Sequence, residues 1–211
     1  MKYLSLAIFF LLTGCATQAP YDYTAFRKHE PKSILILPPL NQSTDIKATY
    51  SCLSAMTQPV AEHGYYVFPV EIIDRMLKEN GLPTPDEMHQ ASLKKIGEII
   101  NPDAVLYLNI ENYGTKFLLV DSNTHVTISG RLVHTQTGTI LWEGKAEASH
   151  SANAGQSNQG LVGMMVGAMV AQAVNSSVDA ARDICRIAIS NLITNPNQGF
   201  LKGPYSPKEA N

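Results

Sequence analysis

The chain has 211 residues, of which 16% are charged, a formal net charge of −2 at pH 7 and three cysteines. This length is enough for one domain of ordinary size with a substantial core. The slightly acidic balance, with no basic run interleaved with aromatic residues, argues against nucleic acid as a partner. Residues 151–178 stand apart because they contain no charged side chain.

The first residues have the layout of a secretory signal peptide. Lys2 supplies a positive start, and the apolar run at residues 3–12 is too short to span a bilayer. The LTGC sequence at residues 12–15 resembles the bacterial lipobox, which implies cleavage before Cys15 and lipidation of its thiol. Ala16 stands where an inner-membrane retention signal would have Asp, so we expect a lipid anchor in the outer membrane, facing the periplasm.

The signal-peptide layout and the hydrophobic periodicity of the remaining sequence together divide the chain into four expected segments. The expected divisions are a signal peptide at residues 1–14, a lipidated cysteine with a flexible tether at 15–32, a single α/β domain at 33–195 and a C-terminal tail at 196–211. The tether is predicted because residues 16–32 show no clear periodicity.

The first half of the predicted domain alternates strands with helices. Its strands are expected at residues 33–37 and 65–68. Its helices are expected at residues 46–62, at 70–80 and from 84 to about 100, the last one either continuous or broken. Pro59 should kink or divide the first of these helices. Thr84, Pro85 and Glu87 combine a capping box with proline at the first helical position, which predicts a helix start.

After residue 103 the hydrophobic period changes to two. Apolar residues alternate with more polar ones around residues 104–110 and 126–132, and a hairpin turn is predicted at residues 136–138. The second half is therefore a meander of three or four antiparallel strands followed by a long helix. The predicted fold class is α/β, with a mixed sheet of about five strands and helices packed on it.

Three short stretches carry a family resemblance: GYYVF at residues 64–68, RLV at 131–133 and TGTILW at 137–142. They are similar to envelope lipoproteins built like the amino-terminal domain of TolB and the periplasmic domain of the curli secretion channel. The chain most resembles a lipoprotein family of unknown function, known from Neisseria, that accompanies a curli-channel-like lipoprotein. The resemblance implies a TolB-like fold, an accessory role in envelope assembly or transport and a curli-channel-like partner, and it supplies no catalytic residues.

The sequence offers no recognisable catalytic or metal-binding motif. Its six histidines form no metal-binding pair on a helix, and no G-x-S-x-G elbow surrounds a serine. Glu111, Asp121 and Glu143 could share a sheet face, and we interpret them as outward, solvated positions. We therefore expect no enzyme activity, no metal and no cofactor; a hydrolase would need a compact polar cluster in a pocket.

Cys52 and Cys185 remain once Cys15 is lipidated. An oxidising periplasm allows these two residues to form one disulfide. Both lie on predicted helices beside apolar positions, so two buried, unpaired thiols are the alternative.

Residues 160–174 (GLVGMMVGAMVAQAV) resemble a piece of membrane helix. The apolar part has fourteen residues, which span about 21 Å as a helix, whereas a bilayer core needs about 30 Å. We interpret the stretch as the small-residue start of the last helix and as a surface for a second copy or a partner. The predicted contact residues, two of them in the tail, are Gly160, Gly163, Met164, Met165, Gly167, Met169, Phe200 and Leu201.

These observations predict a function in the cell envelope. We expect a lipid-anchored, non-enzymatic accessory or structural component of a transport or assembly complex, which self-associates at least as a dimer. The alternative is a peptide- or ligand-binding adaptor that regulates a cell-wall synthase.

Overall fold

The computed structural model describes residues 20–117, 122–151 and 180–207. Its helices are α1 (Thr24–His29), α2 (Ala48–Glu62), α3 (Val70–Glu79), α4 (Pro85–Gln90), α5 (Leu93–Ile99) and α6 (Ala180–Thr194). Its strands are β1 (Ser33–Ile36), β2 (Leu40–Asn41), β3 (Tyr66–Val67), β4 (Ala104–Phe117), β5 (Ser122–His134) and β6 (Ile140–Ser151). The predicted mixed α/β fold with helices packed on a sheet is confirmed.

The sheet has six described strands in the order β3-β1-β4-β5-β6, with β2 pairing further along β4 on the same side as β1. β1 runs parallel to β3 and β4, and the three long strands β4, β5 and β6 form an antiparallel meander. The meander predicted by the alternating pattern therefore has three strands. β2 was missed because two residues are too few to show an alternation.

Each face of the sheet carries its own hydrophobic core, because side chains along a strand point to alternate faces. α2 and α6 pack together over the first face, where Leu106 and Leu108 of β4 are buried. α3, α4 and α5 contribute to the second core, which includes Val105 and Tyr107. On β4 this second core ends at Tyr107, and the next positions on the same face are polar.

A disulfide joins the two helices of the first face. Cys52 of α2 and Cys185 of α6 are fully buried, with their Cα atoms 5.6 Å apart. Of the two alternatives that the sequence left open, the structure has the bridge rather than two unpaired thiols.

Local sequence rules predicted two features of the helices, a capping box at Thr84 and an interruption at Pro59. The capping box is confirmed: Thr84 accepts from the backbone N–H of Glu87, whose side chain accepts from the N–H of Thr84. The division expected at Pro59 is wrong, since α2 runs through it as one helix, and the kink that was expected as the alternative stays a prediction. Pro59 removes only one helical hydrogen bond near the end of α2, and its burial in the core stabilises the continuous helix.

Residues 20–32 differ from the flexible tether that the sequence predicts. They include α1, whose Phe26 side chain is only 3% exposed. The Tyr23 hydroxyl donates to the backbone carbonyl of Gly199 at 2.7 Å, which ties this segment to the other end of the chain. The helix escaped prediction because its six residues are too short to show a helical period.

The tail after α6 also packs on its own chain. The Phe200 ring lies 4.6 Å from the Trp142 ring and 6.0 Å from those of Phe26 and Tyr65, measured between centroids. Leu201 is half-buried against the same core. Phe200 therefore fills an aromatic groove of its own chain, and its predicted contact with another copy stays a prediction.

Candidate functional site

An open cleft of about 550 Å³ lies on the second face of the sheet, beyond the end of the second core. β4, β5 and β6 are 14, 13 and 12 residues long and extend past the buried cluster formed with α3, α4 and α5. We name this feature the polar cleft and define it by its lining residues Leu40, His89, Tyr107, Leu108, Asn109, Ser129, Gly130, Arg131, Glu143, Gly144, Lys145 and Gln198.

An ion pair ties one lining residue of the polar cleft, Lys145, to Glu111 beside it. Lys145 Nζ on β6 lies 2.5 Å from Glu111 Oε2 on β4. This hydrogen bond from Lys145, followed by one from Ser129 on the strand between them, lowers the pKa of Glu111 below its usual value. The two charged side chains are 59% and 26% exposed, so the pair adds only about 0–1 kcal/mol to stability. Its main effect is to hold the Glu111 carboxylate ionised and in place.

A second group of side chains forms the wall nearest the second core. The Arg131 guanidinium lies over the Tyr107 ring, 5.1 Å from its centroid, in a cation–π contact. The His89 ring meets the edge of Tyr107 at 5.3 Å, and His89 Nε2 lies 2.9 Å from the Pro38 carbonyl. Because a carbonyl only accepts, Nε2–H donates there. Burial lowers the pKa of His89, so this ring is neutral at pH 7.

Two charges and one amide oxygen in the polar cleft are left for a ligand. Arg131 and Glu143 are opposite each other in the β5–β6 ladder. Neither forms a salt bridge with any residue in the described ranges. The side-chain oxygen of Asn109 is shielded from solvent and has no hydrogen-bond partner among the same residues. An unsatisfied buried acceptor costs about 1–3 kcal/mol. A ligand that donates to this oxygen would recover that cost once the Asn109 amide turns toward the polar cleft.

The chemistry of the polar cleft suits binding better than catalysis. Ser129 of the polar cleft hydrogen-bonds to the Glu111 carboxylate, yet the lowered pKa of Glu111 makes that carboxylate a weak base at neutral pH. The Nε2 proton of His89 is held by Pro38. The compact polar cluster that a hydrolase requires is present, and these two contacts engage its Glu111 carboxylate and its His89 imidazole.

Glu111 and Glu143 were expected to be solvated outward positions. Glu143 is exposed and lines the polar cleft, and Glu111 lies beside the cleft, bonded to Lys145 of its lining. A sequence signal for the site existed: polar residues at every second position of β4, β5 and β6, on the side opposite the first core. The sequence could not show where the covering helices end. Asp121 lies outside the described residues.

Other predicted sites have little or no described structure. Cys15 and residues 160–169, with all six predicted contact residues in that stretch, lie outside the described ranges. His134 stacks on His29 with centroids 4.2 Å apart. Within the described ranges, no group of three or more His, Cys, Asp or Glu side chains could hold a metal ion. No helix there is long and apolar enough to cross a membrane.

Comparison with known proteins places this fold among bacterial lipoproteins. Residues 21–205 match the family model described as "Putative lipoprotein GNA1162-like". Lipoprotein NMB1124/NMB1162 of Neisseria meningitidis serogroup B is 39% identical over 209 residues, covering 98% of this chain and 96% of that relative. The chain belongs to the GNA1162-like lipoprotein family, and this membership favours a lipid-anchored location at a membrane.

Two solved structures show the extent of the structural likeness. The crystal structure of lipoprotein GNA1162 from Neisseria meningitidis has 40% sequence identity and a TM-score of 0.57, covering 69% of this chain and 100% of that one. The PelC dodecamer from Paraburkholderia phytofirmans has 10% identity and a TM-score of 0.49, covering 86% of this chain and 96% of that one. The second likeness is too distant to bear on function.

Proposed function

We propose that this chain is a non-enzymatic accessory component of an envelope transport or assembly complex. Lipid on Cys15 holds it in the outer membrane, facing the periplasm, and the polar cleft binds a segment of its partner. The lipobox and the family membership support the anchor. The observation that carries the binding role is a set of polar-cleft groups that have no ion-pair or hydrogen-bond partner among the described residues: the Arg131 guanidinium, the Glu143 carboxylate and the Asn109 amide oxygen.

A polypeptide segment fits these groups better than a single ion does. Arg131 donates hydrogen bonds, whereas Glu143 and the Asn109 oxygen accept them, so the polar cleft offers both halves of the pairing that peptide groups require. Its charges of opposite sign favour a partner with both charges rather than a uniformly acidic or basic one.

The partner that we expect is a curli-channel-like lipoprotein, and a cell-wall synthase is the alternative. We also propose that the chain self-associates, at least as a dimer. The uncharged sequence of residues 160–174 supports self-association, because the apolar helix that the sequence predicts there would need cover on every side.

The test is photo-crosslinking of the full lipidated chain in intact cells. A photoreactive amino acid replaces Glu143 in the polar cleft, and the matched control carries it at Arg75, an exposed position on α3. We expect one discrete product from Glu143, identified by mass spectrometry, and little from Arg75. A curli-channel-like protein in that product supports the first partner, and a cell-wall synthase supports the alternative. Equal products from both positions would show that the polar cleft is not the contact.

A further inference from the structure

The outer edge of β6 has backbone groups that are available for pairing. The backbone N–H of Glu143 points away from β5 and donates to the Tyr21 hydroxyl at 2.8 Å. Residues along an antiparallel strand direct their N–H and C=O groups to alternate sides, so Lys145, Glu147 and Ser149 also point outward. Among the described residues, only Tyr21 bonds to this edge. An unpaired edge of this kind is a template for another strand.

A second copy of the same strand matches the edge in charge. When two β6 strands pair antiparallel with Ala146 opposite Ala146, Lys145 of each copy lies opposite Glu147 of the other. Both side chains are exposed, so the two opposite-charge pairs can form without moving the core. Lys145 already bonds Glu111 of its own chain, and its ammonium has three donors, so it can bond both carboxylates. Opposite charges on directly facing residues stabilise a strand pair.

Other registers lack this match. Centring the pair on Lys145 puts lysine opposite lysine, and also Glu143 opposite Glu147. Centring it on Glu147 puts glutamate opposite glutamate. Centring it on Ala148 leaves both charges opposite serines. Like charges on facing residues destabilise a strand pair.

Tyr21 excludes the one remaining charge-matched register. Centring the pair on Gly144 would put Glu143 opposite Lys145, but it requires the backbone N–H of Glu143. The Tyr21 hydroxyl occupies that N–H in the structure. Of these registers, only the one centred on Ala146 places opposite charges on facing residues and leaves the backbone N–H of Glu143 bonded to Tyr21.

We infer that two copies of this chain join through β6, paired antiparallel about Ala146 from Gly144 to Ala148, with Tyr21 closing each end. The inference rests on the self-association proposed above and adds its surface and register. The two-fold axis of an antiparallel strand pair is perpendicular to the sheet, so both polar clefts face the same side. The dimer presents its partner-binding surface twice, on one continuous sheet.

Disulfide crosslinking in the full chain tests this register. Facing residues of a non-hydrogen-bonded pair have Cα atoms about 4.5 Å apart, within reach of a disulfide. Ala146→Cys should therefore give a linked dimer when cells are treated with copper–phenanthroline. Ala148→Cys is the matched control: it is half-buried on the same strand and sheet face, but lies four residues, about 13 Å, from its counterpart.

Charge reversal tests the basis of the pairing. In the Ala146→Cys background, Glu147→Lys should lower the dimer yield about fivefold, and adding Lys145→Glu should restore it.

Sedimentation of the detergent-solubilised full chain separates the two proposals. A dimer by mass without the Ala146 crosslink overturns the β6 surface alone, and a monomer overturns self-association itself. An equal Ala148 product, or a product with a different protein, overturns pairing of two copies in this register.

Discussion

The ring of Phe200 lies edge-on against the indole of Trp142, with centroids 4.6 Å apart and an interplanar angle of 78°. The indole N–H donates to the backbone carbonyl of Gln198 at 2.5 Å, two residues earlier in the tail. The indole also lies over Gly144, where a Cβ atom would come within 2.3 Å of the ring. The last residues of the chain thus complete a core that begins in the sheet.

Replacing Phe200 with alanine should lower the free energy of unfolding by about 3–5 kcal/mol, the usual cost of emptying a buried aromatic position. The chain has one tryptophan, so urea unfolding followed by Trp142 fluorescence measures the change. Tyr205→Ala is the control, because this tail side chain is 65% exposed; its effect should stay within about 0.5 kcal/mol. Equal stability of the two variants would contradict the packing of the tail.

Gly64→Ala should detach the tail from the turn after α2. Gly64 has a φ of +96°, and an added Cβ would lie 2.5 Å from the backbone nitrogen of Ser206. Gly81→Ala provides the comparison, since its φ is +80° and nothing lies within 4 Å. The left-handed backbone alone costs about 1–2 kcal/mol at both positions. We expect a clearly larger loss at Gly64, with faster proteolysis of the tail; similar losses would count against the close contact.

Removing the disulfide should destabilise the chain by about 5 kcal/mol on the chain-entropy model, because Cys52 and Cys185 are 133 residues apart. Urea unfolding of the Cys52→Ala, Cys185→Ala double variant should show this loss, and adding a reductant should change the native protein but not the variant. A native protein that is indifferent to reductant under unfolding conditions would argue against the bridge.

Stability should fall as the pH drops below the ordinary histidine pKa of 6.5. Burial lowers the pKa of His89, and burial followed by the nearby His29 lowers that of His134. The unfolded chain therefore binds more protons than the folded chain below pH 6.5, so unfolding becomes easier there. The urea midpoint should decrease from pH 7.5 to pH 5.5. His89→Gln retains a donor for the Pro38 carbonyl and should flatten this slope. An unchanged slope would show that His89 binds protons equally in the folded and unfolded chains.

The elements that sequence analysis predicted are those governed by local rules. Thr84 and Glu87 form their capping box within four residues, and the alternation after residue 103 is a property of neighbouring positions. α1 and the tail depend on distant contacts instead: the Tyr23 hydroxyl bonds to the Gly199 carbonyl across 176 residues. No short window of sequence contains both partners of such a contact.

The sequence did not predict the polar cleft, for a related reason. Strand alternation puts Glu111 and Glu143 on one face, where they could converge. Whether they meet solvent or line a cleft depends on where the second core ends, at Tyr107 and Val133. That boundary is set by how α3, α4 and α5 pack, which the periodicity of the strands does not encode.

The packing of α1 also limits how far the protein can stand from its membrane. If residues 15–32 were all free, this stretch could reach about 60 Å when fully extended. Because Tyr21 is bound at β6, only five residues separate the proposed anchor, Cys15, from Tyr21, and the six steps between them allow about 20 Å. The β6 edge is therefore kept close to the lipid surface. We expect any partner that binds there to be one that itself works at the membrane rather than far out in the periplasm.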